Sequence, residues 1–528
     1  MTMTGAMTAL TSLRAVRALA VLGLLAAISS LALVPTRAAT PGRVLRVPQD
    51  YSSVGAAVQA AQEHDLVLIG PGTYHEAIQV TTPYLTIRGV DRNTVIFEGD
   101  KKLDNAFYVN GANYVELSNM TARDYTANGF EWDKVTGFKG SFLTAFDNTE
   151  YGVYAFRSTL GEMSYSYGSG NGDSGFYIGA CFDCKAVITD VHAENNGLGY
   201  SGTNAGGILI KDSEWNNNVA GIVPNTLTSE DDAPQGGKVG NVITNNYVHD
   251  NQNASAPSTF QIGPLSAPIG MGIEIAGGWN NQVIHNKVRN QSHYGIVLHY
   301  LITPTVGNQV QFNDISNSGD ADVGWDGIGA NNCFEENTDN GKPATLDPPT
   351  LEQANSCGPV SAPVGGDPVV AIRTALGAAG ITDPKSETKQ PKPGPQSTMP
   401  DPCVGAPPGC GQAKAAAVAA PPANVVPATR QQSAPDGYAS VTSLASVDAG
   451  LRQQPTVDDV RQAMRDALAN LQRSNLTVDA PAAQPDVNGY AATAMGVAAL
   501  FLLIGAALGY WRHTWMPVHG ANFPPPGG

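Results

Sequence analysis

The chain has 528 residues, and its 46 acidic and 30 basic residues give a formal net charge of −16. Nucleic acids and anionic membrane surfaces are bound by basic faces, so this balance argues against both and favours a neutral or cation-bearing partner. The length exceeds that of one ordinary hydrophobic core, which predicts a modular chain.

The N-terminus has the pattern of a secretory signal peptide. Arg14 and Arg17 precede an apolar run from Ala18 to Val34, and Pro35 ends that run just before small residues. We therefore predict a signal peptide over residues 1–39 and export of the protein. The apolar run is close to the upper length of a signal core, which leaves an uncleaved membrane anchor as the alternative.

A glycine followed by a large apolar residue then returns every 23 residues. These pairs begin at Gly129, Gly152 and Gly175, and at Gly221 after twice that interval. The same interval recurs over Gly272–Gly295. A fixed period of this length predicts a solenoid, in which each repeat buries its apolar face against its neighbours.

The offsets within the repeat predict which side chains face inward and outward. Because strand side chains alternate between faces, the apolar residue after the glycine points inward and the next residue points outward. In steps of 23 residues, the outward row contains Glu131, Tyr154, Tyr177 and Tyr200. Sugar rings can stack on tyrosines and hydrogen-bond their hydroxyls, so this row favours a polysaccharide ligand. The alternative is that tyrosine simply favours half-exposed strands.

Asparagines recur late in the repeat. Asn148, Asn171 and Asn217 share one offset, which Glu194 completes. Stacked asparagines hydrogen-bond along a ladder and tolerate left-handed turns, so we interpret them as scaffold residues.

The segments before the repeats resemble the opening of right-handed parallel β-helix proteins. They are Val47–Ala61, then Leu66–Tyr74 with its Pro-Gly-Thr-Tyr ending, then Leu85–Val90, and the repeats over Gly272–Asn317 are similar to the same group. Residues 44–336 thus resemble the superfamily that includes pectate-lyase-like and NosD-like proteins. The resemblance implies an all-β, right-handed parallel β-helix solenoid with an N-terminal capping helix, and a shared fold does not establish an activity.

The catalytic patterns of that superfamily match this chain only in fragments. Polygalacturonase motifs have no counterpart, and of the Asp-Pro-His-Asp motif of mannuronan epimerases only His249-Asp250 is present. The nearest analogues of the basic residue of pectate lyases are Lys134 and Arg157, which share one offset, with Asp133 on the preceding offset and Glu131 in the row of tyrosines. A cation there would neutralise a uronate carboxylate and ease proton removal, which makes Lys134, Arg157 and His249 the catalytic candidates. The alternative is that these charges are only solvated.

An acidic insertion interrupts the repeat after Gly221. It contains Glu230, Asp231 and Asp232, and the chain then returns through a strand followed by Asp250. Clustered carboxylates suit Ca²⁺, a hard ion that prefers oxygen ligands. A calcium site is one interpretation and an acidic surface loop is the other, and neither requires a cofactor for the fold.

Six cysteines fall into three pairs that an oxidising compartment would convert to disulfides. The pairs are Cys181 with Cys184, Cys333 with Cys357, and Cys403 with Cys410. The first pair also has the spacing of a thioredoxin-like motif, although no βαβ pattern surrounds it, so redox or metal function stays the alternative there.

Beyond the solenoid, the composition changes three times. Residues 340–450 are rich in Pro, Ala, Gly and Ser, which predicts a partly extended, disordered linker or stalk. Apolar residues at helical spacing predict a short amphipathic helix over 456–473, and the uncharged stretch 491–511 is long enough for a transmembrane helix. Basic residues follow that stretch, so the tail 512–528 is predicted to be cytoplasmic and the solenoid extracellular.

Two classes of function follow. The first is a membrane-anchored, cell-surface solenoid that binds polysaccharide or another cell-envelope glycan without catalysis, since the sequence contains no complete catalytic set. The second is a polysaccharide lyase or epimerase acting on uronate-containing chains, with Lys134, Arg157 or His249 handling the proton.

Overall fold

The computed structural model describes residues 42–226, 239–257, 261–262, 265–266, 269–301, 303–357, 370 and 390–411. The predicted signal peptide, amphipathic helix, transmembrane segment and cytoplasmic tail lie outside these residues. Within the described part of the chain, no helix is both long and apolar enough to span a membrane.

Each complete coil contributes one short strand to each of three sheets, which are parallel except for the last pair of sheet B, Thr338–Asp339 with Lys342–Pro343. The chain passes from sheet A to sheet B to sheet C in every coil, and successive coils form a right-handed type of parallel β-solenoid of about 12 turns. Sheet A consists of Val44–Val47, Leu66–Ile69, Thr86–Gly89, Glu116–Ser118, Lys139–Ser141, Glu162–Ser164, Ala186–Thr189, Ile208–Lys211, Val242–Thr244, Gln282–Ile284, Gln309–Gln311 and Cys333–Glu335.

The other two sheets follow the same coils. Sheet B consists of Gly72–Tyr74, Val95–Glu98, Thr121–Arg123, Thr144–Phe146, Tyr167–Ser169, His192–Glu194, Glu214–Asn216, Tyr247–His249, Lys287–Arg289, Asp314–Ser316, Thr338–Asp339 and Lys342–Pro343. Sheet C consists of Ile78–Val80, Phe107–Asn110, Phe130–Asp133, Val153–Phe156, Ser174–Gly179, Leu198–Thr203, Ala220–Asn225, Ile273–Ala276, Tyr294–His299, Ala321–Trp325 and Leu346–Asp347. Two small pairs are Gln261–Ile262 with Leu265–Ser266, and Thr305–Val306 with Gly329–Ala330.

A short helix, α1 (Val54–Ala60), packs against the N-terminal strands of sheets A and C. Its buried face includes Val54 and Ala57. The Ser53 hydroxyl caps it, and the Glu76 carboxylate accepts hydrogen bonds from two N–H groups of its first turn at 3.0 and 2.8 Å. A carboxylate at this end also interacts favourably with the helix dipole.

The apolar residue after each repeat glycine forms a continuous stack inside the solenoid. Phe130 pairs with Val153 and Val153 with Phe176, and all three are fully buried. Burial of each such side chain stabilises the fold by about 1.5–3 kcal/mol. The glycine allows the coils to approach, because a Cβ at Gly152 would lie 2.6 Å from the Gly175 carbonyl oxygen. The 23-residue period therefore corresponds to one coil, as predicted.

One coil departs from this period and changes the outward row. Phe176 pairs with Tyr200, a step of 24 residues, and Tyr177 pairs with Ser201. Tyr200 therefore lies in the inward stack, fully buried, and its hydroxyl occupies the space beside Gly202 where a Cβ would stand. The prediction that Tyr200 faces outward is wrong.

An asparagine ladder runs along the corner between sheets B and C. Its members are Asn148, Asn171, Asn196, Asn218 and Asn251, and the side-chain amide of each donates to Oδ1 of the next at 2.9–3.0 Å. Asn217 and Glu194, which a constant step placed in the ladder, lie outside it because the coil lengths vary here. The ladder satisfies buried amides that would otherwise lack partners.

The solenoid continues past the predicted boundary at residue 336. Strands Thr338–Asp339 and Leu346–Asp347 extend sheets B and C, and a one-turn helix, α2 (Leu351–Ala354), packs against the last strand of sheet A. The disulfide Cys333–Cys357 joins this strand to the chain beyond α2. These strands are two residues long, too short to produce the alternation by which a strand is recognised in a sequence.

Residues 390–411, which we call the return segment, belong to the predicted linker but lie against the N-terminal coils. Arg88 donates hydrogen bonds from Nη1 to the backbone oxygens of Pro402 and Val404 at 3.0 and 2.8 Å. Cys410 packs on the outer side of sheet A. This part of the predicted linker is therefore held against the solenoid, because solenoid side chains satisfy some of its backbone groups.

Candidate functional site

The outer face of sheet C carries tyrosines and carboxylates in its N-terminal half. The register pairs Tyr108 with Glu131, Glu131 with Tyr154 and Tyr154 with Tyr177. These side chains therefore follow one another at about 4.8 Å per coil. We call the group Tyr108, Glu131, Asp133, Tyr151, Tyr154, Asp173 and Tyr177 the acid–tyrosine face.

Three of its tyrosines pack against each other. The ring centroids of Tyr151 and Tyr154 are 4.4 Å apart, those of Tyr154 and Tyr177 4.7 Å, and those of Tyr151 and Tyr177 4.8 Å. Tyr177 lies over Gly179 and is only 4% exposed, while Tyr151 and Tyr154 are half-buried. The structure thus brings the predicted ligand-binding residues Tyr154 and Tyr177 together, but as a packed cluster instead of a row of exposed rings.

Glu131 lies next to this cluster in an environment that favours its protonated form. Nδ2 of Asn128 donates a hydrogen bond to Glu131 Oε2 at 2.9 Å. Burial raises the pKa of Glu131 to about 7, with the bond from Asn128 opposing the shift and the charge of Asp133 adding to it. Glu131 can therefore bind or release a proton near neutral pH.

Asp133 lies on the same strand and face as Glu131. Its Oδ2 lies 3.2 Å from Lys134 Nζ and accepts a hydrogen bond from the Tyr108 hydroxyl at 3.4 Å. Burial, together with the charges of Asp133 and Glu131, raises the pKa of Tyr108 to about 12. Asp133 Oδ1 is buried and has no hydrogen-bond partner among the described residues.

Asp173 lies at the corner that leads into sheet C and is 7% exposed. Burial raises its pKa well above the usual range, although Tyr151 hydrogen-bonds to it. Burial and the charge of Asp173 likewise raise the pKa of Tyr151. Oδ1 of Asp173 has no hydrogen-bond partner in the described part of the chain.

Lys134 and Arg157 occupy equivalent positions at the other rim of the face. Both have left-handed backbone conformations, with φ of 57° and 51°, because the chain turns sharply where the strand ends. Lys134 is exposed and paired with Asp133, while the Arg157 guanidinium lies 4.8 Å from the ring centroid of Phe156. These two catalytic candidates therefore lie at equivalent positions of neighbouring coils, at the strand ends beyond Asp133 and Phe156.

His249 does not join them, because it lies on the outer face of sheet B. Its Nδ1 is 2.7 Å from Asp250 Oδ2 and its Nε2 is 3.1 Å from Glu214 Oε1. The ring stacks on Tyr247 with a centroid distance of 4.1 Å. Burial lowers the pKa of His249, but the bonds with Glu214 and Asp250 outweigh it and raise the pKa overall. The three catalytic candidates thus belong to two separate faces.

Of the four predicted calcium ligands, the structure describes only Asp250. Glu230, Asp231 and Asp232 lie outside the described residues, and Asp250 is paired with His249. Among the residues that the structure describes, no three His, Cys, Asp or Glu side chains form a group that could hold a metal ion.

A buried acid–histidine pair lies further along sheet C, and the sequence analysis did not single it out. Nε2 of His299 is 2.6 Å from Glu274 Oε1, and Nδ1 is 2.9 Å from the Tyr300 carbonyl oxygen. Burial lowers the pKa of His299, but Glu274 reverses this and raises it overall. The repeat contained the signal, because Glu274 follows Gly272 at the same offset as Glu131 follows Gly129.

All six cysteines are paired in the structure. The disulfides are Cys181–Cys184, Cys333–Cys357 and Cys403–Cys410. Cys181 and Cys184 are 6% and 0% exposed. Thiol exchange needs access to a sulfur atom, so this burial favours the structural role over the redox alternative.

Comparison with known proteins finds similarity only among solved structures. No family model matches the chain, and no curated protein sequence matches it. The chain is similar to ORF18 of Geobacillus virus E2, with 14% identity and a TM-score of 0.42 over 56% of this chain and 61% of the viral one.

Two enzymes are also similar in structure. An alginate lyase from Paenibacillus sp. has 14% identity and a TM-score of 0.39 over 56% of this chain and 98% of the lyase. The A-module of the mannuronan C-5 epimerase AlgE4 from Azotobacter vinelandii has 13% identity and a TM-score of 0.36 over 61% of this chain and all of the module. All three TM-scores are below 0.5, and the fold is assigned from the three sheets of this chain itself. This chain is a parallel β-helix protein.

Proposed function

We propose that this protein binds an elongated glycan along the outer face of sheet C. The observation that carries the proposal is the acid–tyrosine face, in which Tyr108, Glu131, Tyr154 and Tyr177 follow one another along the solenoid axis. A glycan offers hydroxyl donors to carboxylates and apolar ring faces to tyrosines. A repeating ligand parallel to the axis would meet equivalent groups in successive coils.

Substitution of Tyr154 tests this proposal. With purified full-length protein, we expect Tyr154→Ala to weaken binding to cell-envelope polysaccharide about tenfold, equivalent to about 1.4 kcal/mol. The matched control is Tyr114→Ala, which removes a 46% exposed tyrosine at a corner away from this face. Equal affinities for the wild type and Tyr154→Ala would contradict the proposal, as would no binding to any glycan.

A second candidate is proton-transfer chemistry on a bound uronate glycan, as in a lyase or epimerase. It is favoured by Glu131, whose pKa of about 7 suits a general base or acid, and by Tyr154 in the neighbouring strand. Lys134 and Arg157 at the rim would neutralise a uronate carboxylate.

Incubation with pectate and alginate separates the two candidates. Lyase activity would produce unsaturated products that absorb ultraviolet light, and epimerase activity would change the sugar composition; Glu131→Gln should abolish either. Binding of both polymers without any product would support the binding function and exclude lyase and epimerase activity on these polymers.

We also propose that the protein is exported and anchored to a membrane through residues 491–511. The signal-like N-terminus, the apolar stretch and the pairing of all six cysteines support this, since disulfides persist in oxidising compartments. Expression of the full chain and of a chain ending at residue 490 tests it. Only the full chain should sediment with membranes, and sedimentation of both would refute the anchor.

A further inference from the structure

We infer that the glycan bound at the acid–tyrosine face carries protonated amino groups, so that the ligand is a polymer of amino sugars rather than of uronates. This rests on the proposed glycan-binding function and specifies the chemistry of the ligand. It is derived from the carboxylates, the tyrosines and the placement of the nearby cations.

The first support is the unmet hydrogen-bonding capacity of two carboxylates. Oδ1 of Asp133 and Oδ1 of Asp173 are buried and lack partners among the described residues, although each side chain contacts a tyrosine hydroxyl. A carboxylate oxygen can only accept, and an ammonium has three donors and no acceptor. A uronate would instead bring a further carboxylate against them.

The second support is the packing of tyrosines beside these carboxylates. Tyr151, Tyr154 and Tyr177 lie within 4.8 Å of one another, measured between ring centroids, and Asp173 interacts electrostatically with both Tyr151 and Tyr154. The faces of aromatic rings carry negative potential and attract cations. Aromatic rings combined with carboxylates are a common means of recognising ammonium groups.

The third support is the balance of charge around the face. Glu131, Asp133 and Asp173 are the carboxyl groups, and burial raises the pKa of Glu131 and Asp173 in the absence of a ligand. Lys134 pairs with Asp133 at the rim, and Arg157 lies over Phe156. A cation entering between the carboxyl groups would displace the protons that burial holds there and favour the ionised forms. It would gain an attraction that a neutral sugar lacks, and the release of these protons would offset part of that gain.

The test compares sugar hexamers of different charge. The probes are a hexamer of N-acetylglucosamine, the same hexamer after deacetylation, and a galacturonate hexamer, titrated calorimetrically into the full-length protein at one pH and salt concentration. We expect the deacetylated hexamer to bind about tenfold or more tightly than the acetylated one, and the galacturonate hexamer to bind more weakly than both.

Substitutions test whether the carboxyl groups of the acid–tyrosine face cause the preference for the deacetylated hexamer. Glu131→Gln and Asp173→Asn should each weaken binding of the deacetylated hexamer more than binding of the acetylated one, which reduces the preference to about threefold or less. Glu63→Gln, which changes an exposed carboxylate outside the acid–tyrosine face, should retain the full preference. Circular dichroism checks that each variant is folded. Glu131 is half-buried and Asp173 is buried, so we expect the fold to tolerate Glu131→Gln more readily than Asp173→Asn.

The outcomes separate this inference from the proposed function. Equal binding of the two glucosamine hexamers, or tighter binding of galacturonate, would overturn the ammonium inference and leave glycan binding intact. A preference that all variants retain would also overturn it, because the charge would then act elsewhere. No binding of any hexamer or of longer glycans would overturn both.

Discussion

Glu131 shows how burial on the outer face of a solenoid changes the chemistry of one residue. Strand alternation directs its side chain outward, where a carboxylate is normally ionised and solvated. Here Asn128, Asp133 and Tyr154 surround it, and its pKa rises to about 7. The direction of the side chain is a local property, while its ionisation depends on neighbours in other coils.

This shift predicts a pH-dependent stability. Glu131 has a higher pKa in the folded chain than in the unfolded chain, so the folded chain holds this proton more tightly. Between about pH 4.5 and about pH 7 the carboxyl group is ionised in the unfolded chain but still protonated in the folded one. The free energy of unfolding therefore falls as the pH rises through this range. Glu131→Gln removes this loss, and we expect the variant to be more stable than the wild type above pH 7 by on the order of 1 kcal/mol, given partial exposure. Urea midpoints measured against pH test this, and parallel profiles for the two proteins would contradict it.

Tyr154 and Tyr200 were both predicted to face outward, but only Tyr154 does, so substitutions at the two positions should have different effects on stability and glycan affinity. Tyr200 is fully buried in the core, so Tyr200→Ala should destabilise the fold by about 3–5 kcal/mol, whereas Tyr200→Phe should be tolerated, because its hydroxyl makes only a 3.4 Å contact with the Ile178 carbonyl oxygen. Tyr154→Ala should lower glycan affinity with a smaller loss of stability. Thermal unfolding and glycan titration of the three variants check this, and a binding defect in Tyr200→Phe would show that the inward assignment is incorrect.

At the scale of elements, the corners of the coil rely on stacked amides. Asn196 accepts from the backbone and side-chain N–H groups of Asn171 and donates to Asn218. We expect Asn196→Ala to destabilise the protein by about 2–4 kcal/mol, since it leaves buried polar groups of two coils unpaired. Asn217→Gly is the matched control, because Asn217 is exposed and left-handed, where glycine fits. Similar denaturation midpoints for both variants would count against the ladder.

The return segment is the other element whose placement has a testable consequence. Its disulfide Cys403–Cys410 closes a short loop that presents backbone oxygens to Arg88 and Arg46. We expect Cys403→Ser with Cys410→Ser to increase the rate of protease cleavage within residues 390–411 several-fold, because the open loop loses this restraint. Cleavage sites mapped by mass spectrometry would show it. An unchanged digestion pattern would mean that the side-chain contacts hold the segment by themselves.

At the scale of the whole molecule, the acid–tyrosine face lies on the outer face of sheet C, and the return segment packs against the outer side of sheet A. The proposed site depends on carboxylates, tyrosines and strand register, and none of these needs a metal ion. We therefore expect chelation with EDTA to leave glycan affinity unchanged within about twofold. The proposal of Ca²⁺ at Glu230, Asp231, Asp232 and Asp250 would be supported instead if chelation abolished binding and added Ca²⁺ restored it.

The repeat alone was sufficient to predict the solenoid and most of its inward stack. Gly152-Val153 and Gly175-Phe176 identify one coil each, and alternation then places Tyr154 and Tyr177 on the outer face. These features are local, because the direction of a side chain along a strand depends on its immediate neighbours. The same logic, extended to Gly272, would have found Glu274.

Only the tertiary structure decided which outward residues form a site. The 24-residue step to Tyr200, the burial of Tyr177, the pKa of Glu131 and the contacts of residues 390–411 all depend on parts of the chain that are distant in sequence. A one-residue change in coil length reverses the face of every following side chain until the register is restored. The sequence by itself therefore determined the length of the regular coil and which of its strand side chains point inward or outward. Packing between coils determined which of the outward side chains lie close together.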